Sequence, residues 1–519
     1  MEYYAKSKKV QFTSERINEI KKNMKNIEEC LKENLTETDI EILNSSITDI
    51  AEKTEEKQKT LKEHHKDIVT CAEMFFLEYG EYFTEKEKKL VVEACRIHDL
   101  GKVNLVFQAM ICPKLAEKFY IDVRKTQQIP HGFLSAVTIS LDEFDDLSEL
   151  FSDKDFGPFI TAVYYHHDRE DHYNSPAIRK YAEKYYMKQI EEYLNRKIRK
   201  LNCSNLDDLL FRNNVYTGKY IPDSNAWKEY LLIKGLLNKF DYTVSAGYEN
   251  AESAIDLHEK KLVKNIEKFL NGKELRPAQK FMKMNRDKNL IVIAPTGSGK
   301  TEASLLWMNG EKSFYTLPLK VSSNAIYLRI KENYEYKDVA LLHSDAMAVY
   351  LREYNGNEDI GEKYERSKML SQPLTVCTVD QLFRFVYRAL GTEIFAATLK
   401  YSKLVLDEIQ AYEPRVIATI IYGLKMIQEM GGKFAIITAT FPPVLKYFME
   451  QYGLVEGKQY IFKDFTGKEY QVEKYPRHKV EIRHSEMNLD EIRLRGKNRK
   501  VLVICNTVSK AQKFYKKLE

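Results

Sequence analysis

The spacing of hydrophobic and polar positions along this chain changes between its two halves. From about residue 15 to 250, apolar residues recur every three or four positions. VVEACRIHDL, AIRKYAEKYYMKQIEEYLNRKIRKL and EYLLIKGLLNKFDYTVSAGY are the clearest examples. That periodicity is typical of amphipathic helices, and no convincing alternating strand pattern occurs in this half. The pattern therefore predicts a domain built of packed helices.

Short runs rich in β-branched residues begin near residue 286. NLIVIA, KSFYTL, DVALL, LTVCT, KLVLDE and KFAIITA alternate with helical stretches such as TEASLLWMNG and VDQLFRFVYRAL. This alternation is typical of βαβ units around a parallel sheet. The segment between the two patterns is polar and contains the break ELRPAQK, so we place the domain boundary near residues 250–270.

Composition and charge narrow the class of protein. The 519 residues exceed what one hydrophobic core supports, so two or three domains are expected. The net charge of +5 permits a local basic groove without arguing for one. The cysteines are scattered without a CxxC spacing, the first residues lack a signal-peptide core, and no run approaches the ~20 apolar residues of a membrane span. These features predict a soluble cytoplasmic protein.

A glycine-rich loop follows the first predicted strand. APTGSGKT lies between the apolar run LIVI and the helical stretch TEASLLW. At such a junction, backbone N–H groups and the helix N-terminus point at phosphates, with the lysine on the β and γ oxygens and the final hydroxyl on Mg²⁺. The loop begins with Ala where the general pattern has Gly. The expected nucleotide-binding residues are Thr296, Gly297, Ser298, Gly299, Lys300 and Thr301.

Two adjacent carboxylates end a later strand, in KLVLDEIQAY. Asp407 at the strand tip can reach the Mg²⁺ that Thr301 holds, and Glu408 can orient and deprotonate the attacking water. Two acids that cap the next helix are the alternative interpretation, which the upstream phosphate loop makes less favourable. Gln279, in the RPAQ segment before the loop, could contact the edge of an adenine base.

Taken in order, these motifs resemble a known family. APTGSGKT, YTLPLKVSSNAIYLRI, LLHSD, TVCTVDQL, LDEIQ and TATFPP occur in the order of motifs I to III of superfamily 2 helicases, over roughly residues 270–455. The stretch from Leu317 to Ala325 and the DEIQ box are similar to the helicase of CRISPR-associated type I interference proteins. The resemblance implies a RecA-like lobe that binds ATP with Mg²⁺.

Histidines and carboxylates form five patches in the helical half. They are LKEHHKDIV, HDLGK, PHGFLSA, VYYHHDRED and NKFDYTVSA. A single histidine on an apolar helix face is more often a core residue than a ligand. Helices that pack as a bundle can, however, direct such side chains inward to build a two-metal phosphodiesterase site. For the ordered set as a whole, the metal site is the favoured interpretation.

The ordered set resembles the HD phosphohydrolase superfamily, specifically the HD nuclease that precedes the helicase in the same CRISPR-associated proteins. The resemblance implies one metal held by His64, His98, Asp99 and Asp241, and a second held by His131, His166 and His167, with Asp99 bridging. It also implies that Lys102 lies near the scissile phosphate. We prefer His64 to the adjacent His65 because it stands in the family's L-x-E-H context, and Asp168 replaces a usual Gly.

Histidine-rich sites favour borderline transition ions, so one or two ions of Mn, Fe, Co or Ni are expected at the HD site. The predicted fold class is an all-α HD-type domain over 1–250, a linker over 251–270, a RecA-like lobe over 271–460 and a connector over 461–519. RKVLVICNTVSKAQKFYKKLE predicts the first strand and helix of a second lobe. We expect the chain to be a fragment, or to be completed by a partner, and to hydrolyse ATP poorly by itself.

The implied function is a metal-dependent single-stranded DNA nuclease coupled to an ATP-dependent DNA helicase, in which Asp99, Lys102 and Glu408 carry catalysis. The resemblance implies a monomer that works with an RNA-guided type I surveillance complex. One alternative is a DNA-repair helicase whose HD domain hydrolyses small phosphoesters or nucleotides. Another is a non-enzymatic DNA-binding module, which the intact set of site residues disfavours.

Overall fold

The chain is described by a computed structural model, which covers residues 9–11, 52–54, 59–111, 129–139, 156–167, 175–203, 206, 210, 225–253, 260–353, 360–470, 480–484 and 487–518. The chain divides into two compact units, Met1–Gly467 and Lys468–Glu519. In the part of the chain so described, no helix combines the length and the apolar character that crossing a membrane requires.

Helices build the first part of the larger unit. They are α1 (Leu61–Tyr79), α2 (Glu85–Ile97), α3 (Leu105–Ile111), α4 (His131–Thr138), α5 (Phe156–Tyr164), α6 (Pro176–Tyr181), α7 (Met187–Leu194) and α8 (Asn225–Ser245). The T-x-x-E sequences before α1 and α2 form capping boxes. At α1, the amide of Glu63 donates to the Thr60 hydroxyl at 3.2 Å, and the amide of Thr60 donates to the Glu63 carboxylate at 2.9 Å.

Helix α8 is the centre of this helical domain. Most of its residues are buried, including the polar Lys234, Lys239 and Asp241. It packs against α1, α2 and α5 within the domain. The next elements are α9 (Lys261–Leu270) and α10 (Pro277–Met284), which lead into the parallel-sheet lobe. Helix α9 and the buried Glu252 both lie within the segment that the sequence predicts as a linker, and the domain boundaries remain a prediction.

A parallel sheet of seven strands forms the second part of the larger unit. In chain order the strands are β3 (Leu290–Ile293), β4 (Ser313–Leu317), β5 (Val339–Leu342), β6 (Leu374–Thr378), β7 (Lys403–Asp407), β8 (Lys433–Thr438) and β9 (Ile461–Asp464). Their order across the sheet is β5-β6-β4-β7-β8-β3-β9. All six strands predicted from the apolar runs are confirmed. A helical domain followed by a RecA-like parallel sheet therefore confirms the predicted fold class.

The remaining helices connect the strands of the sheet. They are α11 (Lys300–Met308), α12 (Lys320–Glu332), α13 (Ala346–Glu353), α14 (Ile360–Lys368), α15 (Val379–Leu382), α16 (Glu393–Lys400), α17 (Pro414–Met430) and α18 (Pro443–Gln451). Because consecutive parallel strands need such crossovers, the loops after their carboxyl ends gather at one edge of the sheet. The phosphate loop and the paired carboxylates both lie there.

Two details differ from the sequence-based expectations. Two short strands, β1 (Lys9–Gln11) and β2 (Glu52–Thr54), pair antiparallel, although the helical half shows no strand pattern. Strand β9 was not predicted, because its residues are only partly buried and a weak apolar run gives little signal. Both misses share one cause. The partner of each strand is distant in the sequence, so the local pattern does not reveal the pairing.

The smaller unit contains helices α19 (Leu489–Gly496) and α20 (Val508–Leu518). The helix predicted in its last segment is thereby confirmed, but the predicted strand is wrong. Residues 501–505 are not in a strand, and Leu502 and Ile504 are 84% and 78% exposed. A strand requires a neighbour for its backbone hydrogen bonds. Among the described residues of this unit, none pairs with this segment.

Candidate metal centre and nucleotide site

The Asp99 carboxylate lies close to the side chains of four histidines. It follows α2 directly and is completely buried. Its Oδ2 atom lies 3.5 Å from Nε2 of His64 and 3.3 Å from Nε2 of His98. Its Oδ1 atom lies 3.4 Å from Nε2 of His131 and 3.3 Å from Nε2 of His166. Each carboxylate oxygen therefore faces a different pair of imidazoles.

Gly101 permits the close approach of helix α4 to the HDLGK segment. A Cβ atom at this position would lie 2.0 Å from the backbone oxygen of His131, so no larger residue fits. The amide of Gly101 also donates to the Ser135 hydroxyl at 2.8 Å. The glycine of the motif thus brings His131 up to the residues at the end of α2.

Asp241 on α8 lies between the two histidine groups. Its Oδ1 atom is 3.1 Å from Nε2 of His64, and its Oδ2 atom is 3.2 Å from Nε2 of His167. The Ser245 hydroxyl donates to Oδ1 at 3.0 Å, one helical turn along α8. The carboxylate therefore links the first and last histidines of the set.

The donor atoms form two groups that have the dimensions of metal sites. One group comprises His64, His98 and Asp99, and the other comprises Asp99, His131, His166 and His167. Within each group the donor atoms all lie within 4.8 Å of one another. All residues predicted as metal ligands are thus brought together, with Asp99 common to both groups and Asp241 adjacent.

Backbone carbonyls behind two of the rings select the ring nitrogens that face the site. Nδ1 of His98 donates to the Cys95 carbonyl at 3.1 Å, and Nδ1 of His166 donates to the Val163 carbonyl at 2.6 Å. A carbonyl can only accept, so in the neutral ring Nε2 carries the free lone pair. Among the described residues, Nε2 of His98 and of His131 is buried without a hydrogen-bond partner. This arrangement suits a bound cation.

Burial keeps most of these imidazoles neutral. It lowers the pKa of His98, lowers that of His131 well below its ordinary value, and lowers that of His167 to about 3. A neutral imidazole is the form that binds metal. His64 differs, because hydrogen bonds to Asp241 and Asp99 outweigh the opposing effect of burial and raise its pKa. A metal at His64 would therefore compete with these two hydrogen bonds.

Both carboxylates remain ionised despite complete burial. Burial alone would raise the pKa of Asp99, but its interactions with His98 and with the Lys102 ammonium hold the pKa well below its usual value. For Asp241, burial likewise raises the pKa, and the hydrogen bond from His64 outweighs it, so that the pKa lies well below its usual value. The site therefore offers two anionic ligands to a cation.

Lys102 lies against the metal centre. Its ammonium is 2.6 Å from Oδ2 of Asp99 and only 3% exposed. The Gln108 side chain donates to the Lys102 carbonyl at 2.7 Å, which holds the backbone of the motif. The ammonium contacts the same carboxylate oxygen that faces His64 and His98.

The doublet of His64 and His65 is resolved by its surroundings. His64 belongs to a metal-binding group and His65 does not. The ring centroid of His65 lies 5.7 Å from that of His98, and burial lowers its pKa to about 3. Asp168, the departure from the family pattern, lies outside the described residues.

The phosphate loop follows β3 and leads into α11. Gly297 and Gly299 have φ angles of 76° and 82°, in the left-handed region that favours glycine. Lys300 begins the helix directly after Gly299. Thr296, Gly297, Gly299, Lys300 and Thr301 line a cavity of about 580 Å³, together with Asp407 and Glu408. The side-chain oxygen of Ser298 is buried without a partner among the described residues.

The side chain of Gln279 contacts the protein at both ends of its amide. Its oxygen accepts from the amide of Arg276 at 3.0 Å, and its nitrogen donates to the carbonyl of Gly299 at 3.3 Å. Gln279 thus ties the start of α10 to the phosphate loop. Contact with an adenine edge remains a prediction.

The two carboxylates after β7 have different environments. Asp407 is 6% exposed, whereas Glu408 is exposed and has a φ angle of 55°. Burial raises the pKa of Asp407, although a hydrogen bond from Tyr315 opposes this effect. That bond, 2.7 Å from the phenol to Oδ2, was not anticipated from the sequence. The signal was a tyrosine within an otherwise apolar buried run, SFYTL.

Comparison with known proteins supports the interpretation of both the helical half and the parallel-sheet half of the chain. The family model "Cas3, HD domain" matches residues 51–224, and "DEAD/DEAH box helicase" matches residues 277–448. The CRISPR-associated nuclease/helicase Cas3 of Methanothermobacter thermautotrophicus is 24% identical over 542 residues, which cover 90% of this chain and 64% of the relative. The Escherichia coli K12 CRISPR-associated endonuclease/helicase Cas3 is 25% identical over 32% of this chain and 21% of its own length.

The crystal structure of T. fusca Cas3 has a similar fold. Its TM-score is 0.52 at 17% identity, over 76% of this chain and 50% of that one. A histidine–aspartate metal centre on helices, joined to a RecA-like lobe with a phosphate loop, is the domain pairing of helicases fused to HD phosphohydrolases. Within that class, this chain is similar over most of its length to the CRISPR-associated Cas3 proteins. It spans 64% of the length of the first relative named above.

Proposed function

We propose that this chain is a metal-dependent nuclease for single-stranded DNA coupled to an ATP-driven DNA helicase, and that it acts in type I CRISPR defence. Similarity to the Cas3 proteins supports the biological role. The observation that carries the chemistry is the Asp99 carboxylate, whose two oxygens face separate imidazole pairs. A bridging carboxylate between two histidine groups is suited to a two-metal phosphodiesterase.

At the metal centre, His64, His98, Asp99 and Asp241 would hold one ion, and His131, His166, His167 and Asp99 a second. When bound, divalent ions supply charge neutralisation at the phosphodiester and lower the pKa of a bound water. Lys102 contributes a fixed positive charge beside the bridging carboxylate, where a scissile phosphate would lie. The buried setting of Asp99 and Lys102 strengthens both electrostatic interactions.

Transition ions fit these donors better than Mg²⁺ does. Mg²⁺ prefers oxygen ligands and retains its waters, whereas imidazole nitrogens suit Mn, Fe, Co and Ni. The donors at this centre are mostly imidazole nitrogens. We expect nuclease activity with Mn²⁺, Co²⁺ or Ni²⁺ to exceed that with Mg²⁺ at equal concentration.

In the RecA-like lobe, ATP and Mg²⁺ fit the phosphate loop and the end of β7. The buried Oδ1 of Asp407, which has no hydrogen-bond partner among the described residues, is a free acceptor beside the loop. Lys300 would hold the β and γ phosphates, Thr301 and Asp407 would hold Mg²⁺, and Glu408 would accept a proton from the attacking water. Nucleotide binding there supplies the energy for strand movement.

Single-stranded DNA displaced by an RNA-guided surveillance complex is the proposed substrate. In such systems guide pairing carries sequence specificity, so this chain needs to bind only backbone phosphates and stacked bases. The Cas3 relationship supports this partner. The proposal therefore predicts cleavage with little dependence on base sequence.

The decisive experiment compares Asp99→Ala with Asp67→Ala in cleavage of a labelled single-stranded oligonucleotide with Mn²⁺. Asp67 is a solvent-exposed carboxylate on α1, paired with Lys59, so it controls for loss of a charge. We expect Asp99→Ala to reduce cleavage at least about 100-fold, because it removes the shared ligand. Cleavage by Asp99→Ala at the parental rate would refute the metal-site proposal.

Metal content tests the two-group arrangement separately from catalysis. After reconstitution with Mn²⁺ and desalting, elemental analysis should find two ions per chain in the parent. His98→Ala and His166→Ala should each retain about one, because each removes a ligand from one group only, and Asp99→Ala should retain fewer than one. Equal metal content in all four proteins would contradict a shared carboxylate.

A further inference from the structure

Tyr315 lies beneath the nucleotide site, on the strand next to the one that carries Asp407. Strands β4 and β7 are parallel neighbours, with Tyr315 opposite Val405. The ring is completely buried, and the phenol donates to Oδ2 of Asp407 at 2.7 Å. One of the two oxygens of the Asp407 carboxylate therefore already accepts a hydrogen bond from within the protein.

The other oxygen of Asp407 has the opposite environment. Oδ1 is buried and has no hydrogen-bond partner among the described residues. Asp407 lines the same cavity as Lys300 and Thr301, where a phosphate-bound cation would lie. A carboxylate oxygen without a partner is costly to bury, so this atom is expected to receive a ligand when the site is filled.

The phenol is the donor of this bond, because a carboxylate oxygen can only accept. Burial and the Asp407 charge also raise the pKa of Tyr315 well above its ordinary value. The hydroxyl therefore binds directly to Asp407, one of the two side chains expected to hold Mg²⁺.

We propose that Tyr315 is a positioning residue, which binds Oδ2 of Asp407 and thereby directs Oδ1 towards the Mg²⁺ of the bound nucleotide. This inference rests on the proposed nucleotide site. Without such a contact, the Asp407 side chain can rotate about its χ1 and χ2 bonds. The phenol removes that freedom before the cation arrives, so that less entropy is lost on binding.

The test is Tyr315→Phe, which keeps the ring and removes the hydroxyl. A fluorescent ATP analogue is titrated against the 519-residue chain, once with excess Mg²⁺ and once with a chelator. A hydrogen bond to a charged group contributes about 1.5–3 kcal/mol. We therefore expect affinity for the Mg²⁺-bound nucleotide to fall about tenfold or more, with affinity for the metal-free nucleotide changed less than about twofold.

Tyr327→Phe is the matched control. Tyr327 lies on α12 in the same lobe, is completely buried, and donates to Glu353 at 2.9 Å. The Tyr327→Phe variant therefore loses the same kind of hydrogen bond as Tyr315→Phe, but at a place away from the phosphate loop. Its Mg²⁺ dependence should equal that of the parent, and thermal unfolding without nucleotide should show whether both variants are folded to the same extent.

A double-mutant cycle with Asp407→Asn shows whether Tyr315 acts through the carboxylate. If it does, Tyr315→Phe should have no further effect on Mg²⁺-nucleotide affinity once Asp407 is replaced. Additive losses would overturn the inference, as would a Tyr315→Phe protein that binds both nucleotide forms like the parent or loses both equally. A parent that binds no nucleotide, with or without Mg²⁺, would overturn the proposed ATP site itself.

Discussion

Glu408 combines an exposed carboxylate with an unusual backbone conformation. Its φ angle of 55° lies in the left-handed region, which costs a residue with a Cβ atom about 1–2 kcal/mol. Its amide donates to the Ile437 carbonyl of the adjacent strand at 3.2 Å, and this bond holds the conformation. Strain of this kind often accompanies functional residues, and here it accompanies the proposed catalytic base.

We expect Glu408→Gly to be more stable than Glu408→Gln. Both variants lose the carboxylate, but only glycine adopts a positive φ angle without strain. The difference in the free energy of unfolding should be about 1 kcal/mol in favour of glycine, after its larger loss of chain entropy is included. Urea unfolding of the two variants measures it. Equal or lower stability of Glu408→Gly would mean that the backbone there is not strained.

At the scale of elements, helix α8 contributes residues both to the histidine cluster of the helical domain and to the contact with the RecA-like lobe. Asp241, near its C-terminal end, faces the metal centre, while Gly235 faces helix α16 of the RecA-like lobe. Lys234 forms a buried ion pair with Glu393 at 3.0 Å, and the Tyr230 phenol donates to the same carboxylate at 2.8 Å. One helix thus holds both a metal-centre carboxylate and the contact with the ATP-binding lobe.

Gly235→Ala should destabilise the protein. A Cβ atom there would lie 2.4 Å from the backbone oxygen of Glu393 and 2.5 Å from Cβ of Ala397, so the helices must separate. Overpacking of this kind costs about 1–3 kcal/mol. Gly496→Ala on α19, where a Cβ atom meets nothing within 4 Å, should lose no stability in the same guanidinium titration. A Gly235→Ala protein as stable as the control would argue against close packing.

At the scale of the whole molecule, a buried ionic cluster joins the helical domain to the sheet. The Glu252 carboxylate accepts from Lys239 of α8 at 2.9 Å and from Lys312, next to β4, at 2.5 Å. The Tyr401 phenol donates to it at 2.6 Å. Lys239 and Lys312 are completely buried and also donate to backbone carbonyls, including those of residues 369 and 370. One carboxylate therefore faces two buried lysines, and burial lowers the pKa of Lys312 to about 7.

Glu252→Gln should be among the most destabilising conservative substitutions in the chain. It leaves two buried lysines without a counter-charge, and loss of one partner from a buried ion pair costs about 3–5 kcal/mol. Glu335→Gln is the control, because Glu335 pairs with Lys268 on the surface, where such pairs contribute less than about 1 kcal/mol. Chemical unfolding compares the two. Similar small losses of stability in both variants would show that the Glu252 cluster contributes little to the contact between the helical domain and the sheet.

Prediction from the sequence succeeded where chemistry or periodicity is local. The apolar runs located six strands, and APTGSGKT was recognised because a phosphate loop has a chemical reason for its spacing. The residues of HDLGK were recognised through the resemblance of the ordered histidine and aspartate patches to a known family. Tyr315 and Glu252 were not recognised. Their roles depend on Asp407 and on two lysines that are far away in the sequence, so no local pattern marks them.

The sequence by itself determined the fold class and the phosphate loop, because periodicity and phosphate chemistry are properties of short segments, and its family resemblance supplied the set of histidines and aspartates, with His64 preferred to His65. Tertiary structure alone decided that the two oxygens of Asp99 face different imidazole pairs. It also decided that residues 501–505 are not a strand. The physical reason is the same in each case, since orientation, burial and backbone pairing depend on partners that only folding brings near.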